Sequence, residues 1–257
     1  MSILHQNSDI VQHNLTQSRT SKQKFQTLLK WDFLLQKSYK ITPIYGLVTI
    51  IYIVLLYSIP ITDKRPLLVF LLLTDPAMLG FLFIAALIYF EKTERVLEAI
   101  SVSPIPFSNY LWSKVLSLTF ISLYTCAFIT LVVYGFDLNW IAFLFGIFLT
   151  SIFFVLIGFA MATYFRSFNE FMFSALAITV FAMLPMLNYM GITDTWIFYP
   201  IPFQSAIWLL DGAFHEITPI DLFANSAYLC VCIFGAYKWA VYAFDKNIIK
   251  GAGMQNV

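Results

Sequence analysis

Glu91, Glu94 and Glu98 fall at i, i+3 and i+7, so a helix through them would carry one acidic stripe. Glu91 precedes Arg95 by four positions, the favourable order for an ion pair across one turn. Val96, Leu97 and Ile100 lie off that stripe. Pro104 and Pro106 then stop the helix, and Ser108 or Asn109 is placed to cap a further one at Tyr110. Exposed pairs of this kind contribute only about 0.3–0.5 kcal/mol each, so stability alone does not explain the pattern. The chemistry on offer is contact: an acid edge for a soluble partner, on a short rod joined stiffly to its flanks. A solvated loop beside a membrane is the plainer reading of the same residues.

A second candidate lies upstream. Asp75-Pro76 interrupts an apolar run, removing a helix hydrogen bond and placing an ionisable group where it costs about 2.5–3.5 kcal/mol to insert. Asp is a favoured N-cap and Pro a favoured first helical residue, so a new helix would start at Asp75, with 67–74 a separate piece. A helix over 76–90 rises about 22 Å and would continue through Glu91 to Ile100. Asp75 and Pro76 read either as a capped kink or as part of a substrate path.

Other chemistry is missing. No G-x-x-x-x-G-K-[ST] loop is present to hold ATP phosphates, and no G-x-S-x-G elbow to present a nucleophile. His5, His13 and His215 are isolated and lack metal-ligand spacing. Cys126, Cys230 and Cys232 sit in apolar runs and read as small buried side chains. The net charge of +1 argues against a nucleic-acid partner. The expectation is a chain that is not an enzyme and holds no catalytic residue, metal or cofactor of its own.

The elements that must position these residues follow from composition. With 60% hydrophobic and 11% charged residues, the chain is too apolar for one water-soluble core, since soluble domains are roughly a quarter charged. Six stretches near 41–60, 67–90, 111–134, 140–164, 171–190 and 222–243 are long enough to cross a bilayer. No alternating pattern of a membrane β-barrel occurs, so the fold class is an all-α membrane protein with six transmembrane helices. With the N-terminus inside, only Lys64 and Arg65 of the fifteen Lys and Arg fall outside, which predicts cytoplasmic N and C termini. Residues 191–221 would then lie outside, carrying Asp194, Asp211, Glu216 and Asp221 but no Lys or Arg.

Three regions result: a polar tail over 1–21 expected to be disordered and cytoplasmic, an interfacial helix over 22–40, and a six-helix domain over 41–250. In the second, Phe25, Leu28, Leu29, Trp31, Phe33 and Leu35 spread over one side of a helix, and Gln26, Lys30 and Lys37 over the other. Asp32 falls inside the apolar arc and breaks the pattern. A topogenic anchor and an elbow contacting a cytosolic partner are both consistent with it.

Residues 75–117, DPAMLGFLFIAALIYFEKTERVLEAISVSPIPFSNYLWSKVLS, resemble the corresponding stretch of ABC-2-type permeases, the membrane subunits of type V ABC exporters. The shared pattern is E-K-x-x-x-x-L-x-A, a Ser-Pro break, and Y-L-x-S-K opening the next helix. Within that family the chain is most similar to fluoroquinolone-export permeases, which share W-D-x-x-L-Q (Trp31, Asp32, Leu35, Gln36) and D-P-x-x-L-G-F (Asp75 to Phe81). The resemblance implies a coupling helix over Glu91 to Ile100, with Glu91, Glu94, Arg95, Glu98 and Pro104 serving a partner ATPase. It also implies an elbow helix holding Trp31 and Asp32, and an outer re-entrant hairpin over 191–221. That segment also reads as a surface loop in which Trp196, Phe198, Tyr199, Phe203 and Trp208 suit a lipid–water boundary, with Pro200, Pro202 and Gly212 bracketing a short helix around Gln204 to Leu210.

The implied partners are ABC ATPase subunits, which would hold ATP and Mg, a second permease copy or paralogue, and the lipid bilayer of a bacterial plasma membrane. The implied cargo is a drug-like or amphipathic molecule. An ion-gradient-driven secondary transporter or channel is the alternative, though Asp75 has no evident counterpart in the second half.

Overall fold

The computed structural model describes residues 22–60, 63–74, 79–94, 96–97, 100, 103, 105–165, 167–215 and 218–249. All regular structure among them is helical. Helix α1 covers 22–38, and Lys40, with φ 58°, turns the chain sharply into α2 (Ile41–Ser58). There follow α3 (Arg65–Thr74), α4 (Phe81–Thr93), α5 (Phe107–Val133), α6 (Trp140–Tyr164), α7 (Phe168–Ala182) and α8 (Pro185–Tyr189). A short 3-10 turn (Trp196–Phe198), α9 (Pro202–Asp211), α10 (Pro219–Phe244) and a closing π turn (Asp245–Ile249) complete the order.

Among the described residues, five helical stretches are long and apolar enough to cross a membrane: α2, α5, α6, α7 continued through α8, and α10 with its extension. They coincide with five of the six expected spans. The remaining one, 67–90, contains α3 and α4, described on either side of 75–78. Asp75 and Pro76, and the helix start expected there, lie outside the described residues. The following helix begins at Phe107 rather than Tyr110, and its N-cap is Pro106, with no side-chain cap from Ser108 or Asn109.

Helix α6 is the centre of the bundle. It is apolar all round, so no face prefers water, and it is buried on most sides by α4, α5, α9 and α10. Its hydroxyls are satisfied locally, as a dry interior requires: Thr150 donates to the Gly146 carbonyl at 2.8 Å, and Ser151 to Thr119 on α5 at 3.3 Å. Gly158 lets α4 cross closely, because a Cβ there would lie 2.6 Å from the Phe81 carbonyl oxygen. Asn139, Ser167 and Thr218 cap α6, α7 and α10 by accepting backbone N–H bonds.

Two apolar clusters fill the bundle. One, around Leu111, Phe159, Phe171 and Phe244, lies toward the lysine-rich end. The other, around Leu68, Phe143, Phe203 and Ile207, lies toward the acidic end. At that second end Arg65 bonds Asp63 at 2.7 Å and contacts the His215 ring, and Tyr189 donates to Asp211 at 2.5 Å. Within 191–221, Pro202–Asp211 forms the short helix expected near Gln204 to Leu210. Trp196, Tyr199 and Trp208 are exposed, but Phe203 is a core residue rather than a boundary one. Of the three cysteines only Cys126 is buried; Cys230 is exposed on α10 and Cys232 is half-buried, so burial within the protein holds for one of them.

Candidate functional site

Lys114 stands two turns into α5, an apolar helix, and 1% of its side chain is exposed. A buried ammonium needs anions, and two converge on it. Glu91, from the last turn of α4, places Oε1 2.5 Å from Lys114 Nζ, and Asp32, from α1, places Oδ1 at 3.0 Å. The second oxygen of each carboxylate is also occupied. Tyr110 donates its hydroxyl to Glu91 Oε2, and Ser113 donates to Asp32 Oδ2. The Tyr110 ring lies 4.9 Å from Lys114 Nζ, adding a cation–π contact.

The cluster is reinforced one turn further on. Gln36 Nε2 donates to Ser117 Oγ at 2.7 Å, and both residues are fully buried. On the other side of α1, Tyr39 stacks on Phe90 with ring centroids 4.6 Å apart and donates to Glu94 Oε1 at 3.0 Å. Partial burial and then the Glu94 carboxylate hold the Tyr39 phenol above its ordinary pKa. Lys92 ties α4 to the end of α6, donating to the carbonyls of Ala162 at 2.8 Å and Phe165 at 3.3 Å. Those carbonyls close a helix C-terminus, where a cation is favoured. Three helices distant in sequence are thus clamped at one end.

One expectation is corrected here. Glu91 does not share a solvated stripe with Glu94: α4 runs on through Glu91 to Thr93, and the Glu91 carboxylate turns inward to Lys114 and Tyr110. Charge neutralisation in a dry site decides this, since an unpaired buried carboxylate is far costlier than a lost surface pair. Helix α1 meets the bundle through buried Asp32 and Gln36, with Phe25, Leu28, Leu29 and Leu35 of its apolar arc half-buried, Phe33 against Phe120 of α5, and Trp31 60% exposed. Glu94 is at the C-cap of α4. Arg95, Glu98 and Pro104 lie outside the described residues, so the remainder of the acidic stripe does too.

The sequence places Lys114 and Ser113 within Y-L-x-S-K, Gln36 within W-D-x-x-L-Q and Tyr110 at a helix start, but assigns none of them a role. A signal was present: Asp32 inside an apolar arc and Lys114 inside an apolar helix are each anomalous alone and complementary together. Asp32 and Gln36 belong to W-D-x-x-L-Q, Glu91 to the E-K motif, and Tyr110, Ser113 and Lys114 to Y-L-x-S-K. The three motifs, separate in the chain, meet in one cluster. One ammonium is set against two carboxylates, and each carboxylate also accepts a hydroxyl.

Apolar helices of membrane-spanning length, with three helices held together by a buried charge cluster at one end, define a multi-pass membrane protein. The chain belongs to the fluoroquinolones export permease protein family, whose model matches residues 23–252. It is 26% identical over 208 residues to the fluoroquinolones export permease proteins of two Mycobacterium tuberculosis strains, CDC 1551 / Oshkosh and ATCC 25618 / H37Rv. In each case the match covers 80% of this chain and 88% of the relative. No solved structure matches the chain.

Proposed function

We propose that this chain is the permease subunit of an ATP-driven exporter in a bacterial plasma membrane. It crosses the membrane six times with both termini cytoplasmic, α3 and α4 together making the second crossing. It pairs with a second permease copy or paralogue and binds separate ATPase subunits, which hold ATP and Mg. The lysine-rich end faces the cytosol, in keeping with retention of Lys and Arg on that side. The relatives' names point to a drug-like or amphipathic cargo.

The observation that carries this reading is the Asp32–Lys114–Glu91 cluster. It joins the helix before the first span, the base of the 91–107 segment and the third span. A push on that segment would therefore move α1, α4 and α5 as one body, which is what alternating access driven from the cytosol requires. Residues 94–104, with Glu94, Arg95, Glu98 and Pro104, are the contact for the ATPase, and α1 is the elbow beside it.

Glu94→Arg with Glu98→Arg reverses the acid edge while sparing Glu91. The double variant is expected to assemble in the membrane but to lose co-purification of the ATPase and stimulated ATP hydrolysis. Normal capture of the ATPase by this variant would count against the contact. Cargo movement by the purified chain in liposomes, driven by an ion gradient without an ATPase, would instead establish a secondary transporter.

A further inference from the structure

A cleft of about 420 Å³ lies between α7 and α10, in the range usual for small-molecule sites. Helix α6 forms its back wall from Phe153 to Met161, about 12 Å of helix axis. Ile178, Thr179 and Phe181 of α7 stand on one side and Trp239 of α10 on the other. Residues 200–203 close one end. That closure is fastened, since Tyr228 of α10 donates its hydroxyl to the Pro200 carbonyl at 2.5 Å.

The lining has a definite chemistry. Among the described residues no charged side chain lines it, and Thr179 supplies the one hydroxyl. The rings are held in fixed orientations: Phe153 and Phe154 meet edge to face at 5.2 Å, and Phe154 and Phe203 at 6.0 Å. Trp239 Nε1 is already committed to Tyr164 Oη at 3.3 Å, which leaves the indole ring for contact. Fixed ring edges and faces suit a planar aromatic partner, whereas a flexible acyl chain would use only the apolar area. A charged group would lose its water here with no partner to replace it. Phe181, 63% exposed, and Ile178, 43% exposed, form an outward rim, so the mouth opens toward hydrocarbon rather than water.

We propose that this cleft is a binding site for a planar, uncharged aromatic molecule that enters from the lipid side. It rests on the export reading only in making that molecule the cargo.

The test uses the full chain in phosphatidylcholine nanodiscs, with no ATPase present. Two fluorescent probes of matched ring system are titrated, neutral N-phenyl-1-naphthylamine and anionic 8-anilinonaphthalene-1-sulfonate, each corrected with protein-free discs. Saturable binding of the neutral probe is expected, with the sulfonate at least about tenfold weaker. Ala182→Trp, which fills the cleft, should weaken the neutral probe by about tenfold or more. Ile141→Trp, on an exposed position away from the lining, should leave it unchanged. Unchanged binding by the Ala182→Trp variant, or equal binding of the sulfonate, overturns the proposal. Displacement of the probe by a diacylglycerol as readily as by unlabelled naphthalene would also overturn it and assign the cleft to lipid. Failure here leaves ATPase capture by the wild-type chain untouched, and failure of that capture leaves the binding result standing.

Discussion

Lys114 Nζ sits 2.5 Å from Glu91 Oε1 although the two residues belong to different helices, and both side chains are withdrawn from solvent. With Asp32 as the second anion, the ammonium is shared between two carboxylates, each of which also accepts a hydroxyl. Such a cluster is a poor source of net stability but a strict specifier of which helices meet, because every alternative packing strands a charge.

Removing the cation alone should therefore be the most damaging single change at the site. Lys114→Met leaves the Asp32 and Glu91 carboxylates buried without a cation, at a cost of about 3–5 kcal/mol. The triple variant Asp32→Asn, Glu91→Gln, Lys114→Met removes all three charges and should recover most of that loss. Thermal unfolding of the purified proteins in detergent measures both, and a triple variant no better than the single one would contradict the pairing.

The crossing of α4 over α6 depends on a missing side chain. Gly158→Ala sets a Cβ against the Phe81 backbone, which has little room to yield, so a loss of about 1–3 kcal/mol is expected. Gly46→Ala on α2 is the control, since nothing lies within 4 Å of the methyl it would add and helix propensity favours Ala. Opposite shifts in Tm for the two variants are the expected outcome.

At the other end, hydrogen bonds from the Arg65 side chain, and then its backbone N–H, hold the Asp63 carboxyl below the usual carboxylate range. A depressed folded-state pKa contributes stability that is complete above the unfolded value of about 3.9 and is lost as pH falls through the folded one. Asp63 is largely exposed, so the effect is small. Unfolding profiles from about pH 5 down to about pH 2 should show an acid-dependent step below about pH 4 in the wild type that Asp63→Asn reduces.

Much of the fold was legible along the chain. Apolar runs long enough to span a bilayer recur at α2, α5, α6, α7–α8 and α10, since hydropathy over about 20 residues is a local property. The short helix of the acidic segment, bracketed by Pro200, Pro202 and Gly212, was equally readable because turn residues act locally. The polar anchor of α1 was not. Periodicity ranks side chains by greasiness, whereas Asp32 and Gln36 are drawn in by Lys114 and Ser117 on α5.

Glu91 shows the same division. Its helical phase relative to Glu94 and Glu98 follows from numbering alone, but whether it meets water or Lys114 depends on where α5 lies. The sequence by itself determined that this is a helical membrane chain with a basic end, an acidic end and an interrupted second apolar run. Only the tertiary structure decided that Asp32, Glu91 and Lys114 form one buried cluster, across separations of 82 and 23 residues. The physical reason is that a charge in a dry interior is tolerated only through its partners, and those partners are chosen by the packing of helices rather than by the residues beside it.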